Sequence, residues 1–258
     1  MKIVIGHLYP ELLNLYGDRG NIAALARRLV WRGIEAEVRE YRLADTIDFS
    51  ELDIVFLGGG SDHEQLLVCR RLLEIRGAFV GYVETGGVTL AVCGGYQLLG
   101  EYYRTETDTI EGLRILNMRT EKEAGRLIGN VVIDSPLCSM PVVGFENHGG
   151  RTSIGGHEAL GRVLTGGGNN GKDGYEGVMY KNLIGTYLHG PLLPKNPELC
   201  DWLLGAALTN RGVQAALPPL DDAVETEANR YIAERFAKAK RNPRNKRPAE
   251  PSARGLQQ

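Results

Sequence analysis

The chain has 258 residues, is 43% hydrophobic and 24% charged, and carries a formal net charge of −2 at pH 7, which fits an ordinary globular protein with one sizeable α/β core and offers no extended basic face for nucleic acid. Its cysteines, Cys69, Cys93, Cys138 and Cys200, form no C-x-x-C pair, which argues against a zinc site or a disulfide framework and for free thiols in a reducing cytoplasm. Met1 to Gly6 lacks the charged-then-apolar pattern of a signal peptide, and the apolar stretch from Val88 to Leu99 falls well short of the roughly 20 residues of a membrane helix.

Lys2 to Gly6 reads as a buried strand, followed by an irregular loop from His7 to Arg19. A helix is expected over about Asn21 to Arg32, with Ile22, Leu25, Leu29 and Val30 on one face and Gly33 as its stop. Ile34 to Tyr41 alternates as a strand. Ile54 to Leu57 is a continuous apolar run that ends in Gly58-Gly59-Gly60, and helical periodicity resumes from His63 to Arg76. Val88 to Val92 is a further buried strand, and Cys93 follows it directly. This alternation predicts an α/β protein with an open, mainly parallel sheet covered by helices on both faces.

Beyond Gly100 the segments shorten. Strands are expected near Leu127 to Ile133, Val142 to Phe145, Val178 to Tyr180 and Leu183 to Tyr187, and are read as extending the same sheet. Helices at Glu198 to Thr209 and Ala223 to Lys240 close a single domain, 1–240. The tail 241–258, rich in Pro, Arg, Lys and Ser, buries too little apolar surface to offset ordering entropy and is expected to be disordered.

In Ala91-Val92-Cys93-Gly94-Gly95-Tyr96-Gln97 a buried strand ends at a cysteine and small residues permit a sharp turn into a helix, the pattern of a nucleophile elbow with sulfur in place of oxygen. The carboxyl end of an open sheet is where ligands bind, and a helix N-terminus favours thiolate. Gly94 is expected to give a backbone N–H to an oxyanion hole, with the Gly58-Gly59-Gly60 turn supplying the second donor. Attack on an amide also needs a base that later protonates the leaving ammonia. Of His7, His63, His148, His157 and His189, the last stands at the end of the strand-like run Leu183 to Leu188 with Gly190-Pro191 behind it, and is chosen.

The blocks Gly58 to Gln65, Cys93 to Gln97, Gly144 to Thr152 and Gly185 to Gly190 resemble the cobyric-acid-synthase-type glutamine amidotransferases, of the flavodoxin-like class I fold. Cobyric acid synthases carry an ATP-binding domain ahead of this region, and none is expected here. Tyr9 to Asn21 is similar to the amidotransferase subunits of lipid II isoglutaminyl synthases. The resemblance implies that the chain hydrolyses glutamine through a cysteine thioester at Cys93 and His189. Arg126 would bind the glutamine α-carboxylate, with Gln97, Gly59, Gly60 and Gly94 also at the substrate. The ammonia would pass to a Mur-ligase-like synthetase partner, MurT, that amidates the D-glutamate α-carboxyl of lipid II. ATP and Mg are then expected on that partner, since this chain has no G-x-x-x-x-G-K-[ST] loop, and the reaction is expected in the cytoplasm, at the inner membrane surface. A standalone cysteine amidohydrolase and a non-catalytic partner-binding scaffold are the alternatives.

Two positions depart from the pattern. Pro191 stands where many such enzymes have an acid two residues after the histidine, and Ala91 stands where a glycine is common. Glu146, Asn147 and His148 are the residues of this chain expected either to orient His189 or to line a subunit contact, and a carboxylate supplied by the partner is the other source.

Overall fold

A computed structural model describes residues 1–213 and 216–239; the tail expected at 241–258 lies outside the described residues. In chain order the elements are β1 (Lys2–Leu8), α1 (Arg19–Val30), β2 (Glu35–Tyr41), β3 (Ile54–Leu57), α2 (Asp62–Glu74), α3 (Arg76–Glu84), β4 (Val88–Val92) and the short α4 (Gly94–Leu98). Then follow β5 (Tyr102–Arg104), β6 (Thr109–Glu111), β7 (Arg119–Asp134), β8 (Val142–Ser153), β9 (Gly161–Thr165), β10 (Tyr175–Glu176), β11 (Val178–Tyr180), β12 (Leu183–Thr186), α5 (Pro197–Asn210) and α6 (Ala223–Ala239).

The apolar runs of β3 and β4 are buried at every residue, as central strands covered on both faces must be. The first sheet has the order β11-β12-β4-β3-β1-β2 and is parallel except for the edge strand β11. The chain runs outward from β1 to β2 and then back across to β3 and β4. Right-handed crossovers in opposite directions therefore put α1 on one face and α2 and α3 on the other. The strand ends that carry Gly58, Cys93 and the segment leading to His189 consequently lie side by side at one edge of the sheet.

The expectation that the later strands extend this sheet holds only for β11 and β12. The strands β5 to β10 form a second sheet, ordered β10-β9-β7-β5-β6 with β8 paired to β7. The reason is the length of β7 and β8, whose antiparallel pairing runs from Arg119–Ser153 to Ile133–Val142 and occupies their backbone groups with each other. A helix also appears at α3, where Gly77 and Gly81 had blurred the apolar period; α2 stops at Ile75 and α3 starts immediately after it. Among the described residues no helix is long and apolar enough to cross a membrane.

A buried ion cluster fixes the C-terminal segment to the sheet layer. Arg28 on α1 is 4% exposed and binds Asp201 of α5 (Nε to Oδ1, 2.7 Å) and Asp222 ahead of α6 (Nη1 to Oδ1, 2.5 Å), while Arg32 also reaches Asp201 at 2.6 Å. Removing Arg28 would take both guanidinium contacts from Asp222 and leave Asp201 with the one from Arg32. Arg28→Ala should therefore lower stability by about 2 kcal/mol, below the ~3–5 kcal/mol range for a fully buried pair, because the two carboxylates are 26% and 24% exposed. Urea denaturation followed by circular dichroism measures this, and an unchanged midpoint would show that the cluster contributes nothing.

Candidate active site

β4 ends at Val92, and the chain turns into α4 through Cys93 at φ 52°, ψ −107°, a backbone conformation that a side-chain-bearing residue rarely adopts. The turn is held from both sides. Cys93 N–H donates to Thr186 O (2.8 Å), prolonging the β4–β12 ladder, and Gly95 N–H donates to Gly58 O (3.0 Å) at the end of β3. The glycines make that approach possible, since a β-carbon on Gly95 would lie 2.6 Å from Leu57 O, and one on Gly59 would lie 3.0 Å from Cys93 Cβ and 3.7 Å from its Sγ.

Cys93 borders a cavity of about 450 Å³ together with Gly60, Gln65, Gln97, Tyr103 and Arg126; Asn147 and His148 close the β8 side. Arg126 comes from the second sheet, at the irregularity where the β7–β8 register shifts between Lys122 and Leu127. A bulge re-aims the side chain beside it; here Gly125 adopts φ +78°, and Arg126 donates from Nε to Asn147 Oδ1 (2.8 Å) and from Nη2 to Asn147 O (2.7 Å). Gln97 donates to Tyr187 Oη (3.1 Å), which continues to Thr152 (2.6 Å) and Thr120 (2.8 Å) in a buried hydroxyl chain. Gln65 donates to Gly60 O (3.1 Å). Of the residues expected at the substrate, Gly60, Gln97 and Arg126 face this cavity. Gly59 stands behind the thiol with its N–H turned to Asp18 Oδ2 (2.8 Å), so that N–H is engaged rather than open to an oxyanion.

His189 is completely buried and does not line the cavity. Its backbone forms a two-way bridge with Phe145 of β8, His189 N–H to Phe145 O at 3.0 Å and the reverse at 3.2 Å. Glu176 fixes the segment just before it by accepting from Thr186 Oγ1 and Tyr187 N–H, both at 2.7 Å. Pro191 packs over α1, where a β-carbon on Gly20 would lie 2.4 Å from its Cγ. Glu146, expected as a possible support for His189, accepts instead from Gly167 N–H (2.7 Å) and Gly168 N–H (2.9 Å), and its Oε2 lies 3.5 Å from His148 Nε2. His148 stacks on Tyr187 at 3.6 Å and pairs through Nδ1 with Gly150 O. His63 borders the cavity, His7 is buried edge-on to Phe56, and His157 accepts from Asn117 N–H. Sequence reasoning gave no role to Asp18, Gln65, Glu176 or Tyr187, although Asp18, Gln65 and Tyr187 fall within segments already singled out. A larger cavity of about 710 Å³ opens between β9, β10 and the turn after β8, and contains none of the residues that converge on Cys93.

Burial dominates the electrostatics. It pushes the Cys93 thiol up to about 12, assisted by the Asp18 carboxylate and opposed by the Gly94 N–H and Arg126. His189 is lowered to about 4, by burial first and then by His148, Lys195 and Arg126. The resting pair is thus a neutral thiol and a neutral imidazole. The expected bias of the helix N-terminus toward thiolate is outweighed, since α4 is only five residues long and desolvation acts on the whole charge.

A strained cysteine at a parallel-sheet edge, facing a cavity with an arginine from a second sheet, has the layout of a glutamine-hydrolysing amidotransferase. The chain belongs to the CobB/CobQ-like glutamine amidotransferase domain family, which it matches over residues 4–197. More narrowly, it is 43% identical over 244 residues, 93% of this chain and 99% of the relative, to the protein named lipid II isoglutaminyl synthase (glutamine-hydrolyzing) subunit GatD of Staphylococcus aureus. It is 38% identical to the protein of the same name from Streptococcus pneumoniae, over 93% of this chain and 92% of that one. The solved structure titled PurLQS from Thermotoga maritima shares the fold, with a TM-score of 0.54 at 18% identity, covering 82% of this chain and 100% of that chain.

A thiol with its pKa near 12 should react with iodoacetamide slowly at pH 7, with a rate that rises about tenfold per pH unit through pH 9. Peptide-level mass spectrometry of Cys93 in the isolated chain reads this directly. A plateau near neutral pH would mean that the thiolate is already formed at rest.

Proposed function

We propose that this chain is the glutaminase subunit of an enzyme that amidates lipid II, delivering ammonia to a Mur-ligase-like synthetase, MurT. The observation that carries the reading is the near full-length similarity to two GatD subunits, 43% and 38% identical, joined to the cavity that brings Cys93 and Arg126 together. ATP and Mg act on the partner, where the D-glutamate α-carboxyl is activated. The chain works in the cytoplasm, at the inner membrane surface where a lipid-linked substrate is within the partner's reach.

In this reading glutamine enters with its α-carboxylate against the guanidinium of Arg126, whose fork of donors suits a carboxylate. Cys93 Sγ attacks the side-chain carbonyl carbon, and the thiol proton passes to His189. Backbone N–H groups of Gly94 and the triglycine turn hold the oxyanion. His189 then gives its proton to the leaving nitrogen, the C–N bond breaks and ammonia departs. Water, deprotonated by His189, cleaves the glutamyl thioester and restores the thiol. A histidine that takes positive charge during this cycle gains from a carboxylate that fixes its tautomer. Both oxygens of Glu146 accept from backbone N–H groups, Glu176 accepts from Thr186 and Tyr187 through Oε1 alone, and Pro191 stands in the usual place of the acid. A carboxylate of the synthetase partner is the source we propose for it.

Cys93→Ala should abolish glutamine hydrolysis in the purified complex without loss of partner binding, and His189→Ala should cost about a hundredfold or more in kcat. Arg126→Ala should instead raise the glutamine KM. Full ammonia release by the Cys93 variant would refute the nucleophile assignment, and a normal KM in the Arg126 variant would remove that residue from the substrate.

Titrating the chain with its synthetase partner should raise glutaminase activity markedly over that of the chain alone. A flat titration would favour a self-sufficient amidohydrolase, and no activity at any ratio would favour a binding scaffold.

A further inference from the structure

The segment Leu12 to Asp18, which none of the chemistry above employs, lies directly on the triglycine turn. Both polar groups of Gly59 are bound by it: Gly59 N–H donates to Asp18 Oδ2 (2.8 Å), and Gly59 O accepts from Leu15 N–H (3.1 Å). The fit leaves no slack. A β-carbon on Gly58 would lie 2.3 Å from Leu13 O and 3.0 Å from Asp18 Oδ2, and one on Gly60 would lie 2.5 Å from Leu13 Cδ2. With Gly59 clamped in this way, Gly60 is the member of the turn that borders the cavity beside Cys93.

Asp18 itself is completely buried, and its Oδ1 has no hydrogen-bond partner among the described residues. A buried, half-satisfied carboxyl is costly. This one is costly twice over, because its charge also opposes ionisation of the Cys93 thiol. A group so placed needs a role that its neighbours require.

We propose that Asp18 is a positioning residue for glutamine hydrolysis: its carboxyl holds the Gly59 peptide so that the N–H of Gly60 is aimed at the oxyanion formed on attack by Cys93. The inference rests on the reading of Cys93 as nucleophile. It assigns the N-terminal segment a part in catalysis although no side chain of Asp18 touches substrate. The amide of asparagine offers an oxygen of the same geometry, so Asp18→Asn keeps the clamp and removes only the charge. The charged and titratable groups acting on the thiol are then reduced from Asp18, Arg126 of β7 and Glu176 of β10 to the last two, with the tyrosines Tyr103 and Tyr187 also coupled to it.

The test compares Asp18→Ala and Asp18→Asn in the complex with the synthetase partner. Asp18→Ala should lose about a hundredfold in kcat, the scale of one oxyanion donor, with the glutamine KM changed less than about threefold. Asp18→Asn should recover to within about tenfold of the wild-type kcat, and its Cys93 iodoacetamide labelling curve should move to lower pH. Wild-type kcat in the alanine variant overturns the proposal, as does an asparagine variant that is folded yet equally inactive, or one whose labelling curve does not move. If thermal melting shows the alanine variant to be unfolded, the asparagine variant alone decides by the same criteria. A Cys93→Ala control separates the two layers, since activity surviving in it refutes the nucleophile, while activity lost in it and retained in Asp18→Ala refutes only the clamp.

Discussion

The ends of β3 and β4 meet with no room for a β-carbon between them, and the left-handed backbone of Cys93 depends on that contact. Such a conformation costs about 1–3 kcal/mol and persists only where its surroundings over-determine it. Here β4 is hydrogen-bonded in register to β3 on one side and β12 on the other, and the Gly95 N–H is anchored on Gly58 O. The strain is met by the sheet, and its product is a buried cysteine that also borders the cavity. Gly59 and Gly95 are glycine for the same steric reason, while a β-carbon on Gly94 would meet the Gln65 side chain of α2.

The same close approach dries the site. Cys93 and His189 are both nearly or wholly buried, and desolvation holds each in its neutral form. Burial also raises Asp18 and Glu176 to about 7, so the acids around the thiol carry only partial charge near neutral pH. In the proposed reaction, proton transfer from sulfur to imidazole would then accompany substrate entry. That arrangement suits an enzyme whose thiol should stay unreactive until glutamine, and a partner, are in place.

The second sheet is what closes a cavity over the elbow. Its β7–β8 pair contributes Arg126 and Asn147 at the register shift, bridges to His189 through Phe145, and supplies Thr120 and Thr152 to the hydroxyl chain that ends on Gln97. The cavity is therefore a junction between a mainly parallel sheet that carries Cys93 and a mainly antiparallel one that carries Arg126.

How much of this was written in the sequence depends on the range of the interactions involved. β1, β3 and β4 are continuous apolar runs, and the Cys93 elbow is a local steric pattern of five or six residues, so both are legible by eye and the structure places them where the pattern predicts. Gln97 and His189 fall within the resemblance blocks and Arg126 is implied by the same resemblance, and of the three the structure puts Gln97 and Arg126 at the cavity. Other features depend on contacts between residues far apart in the chain. Periodicity records which residues are buried but not which strand they pair with, so the second sheet was read as an extension of the first. α3 was hidden because its glycines interrupt the apolar repeat while tertiary packing still makes the segment helical. The partners of Asp18 and Glu146 lie 41 and 21 residues away, and nothing local distinguishes an acid that will cap a distant turn from one that will face solvent. The protonation states were beyond the sequence for the same reason. A helix N-terminus next to a cysteine is visible in one dimension and favours thiolate, but desolvation, which wins here, is set by everything that folds over the sulfur.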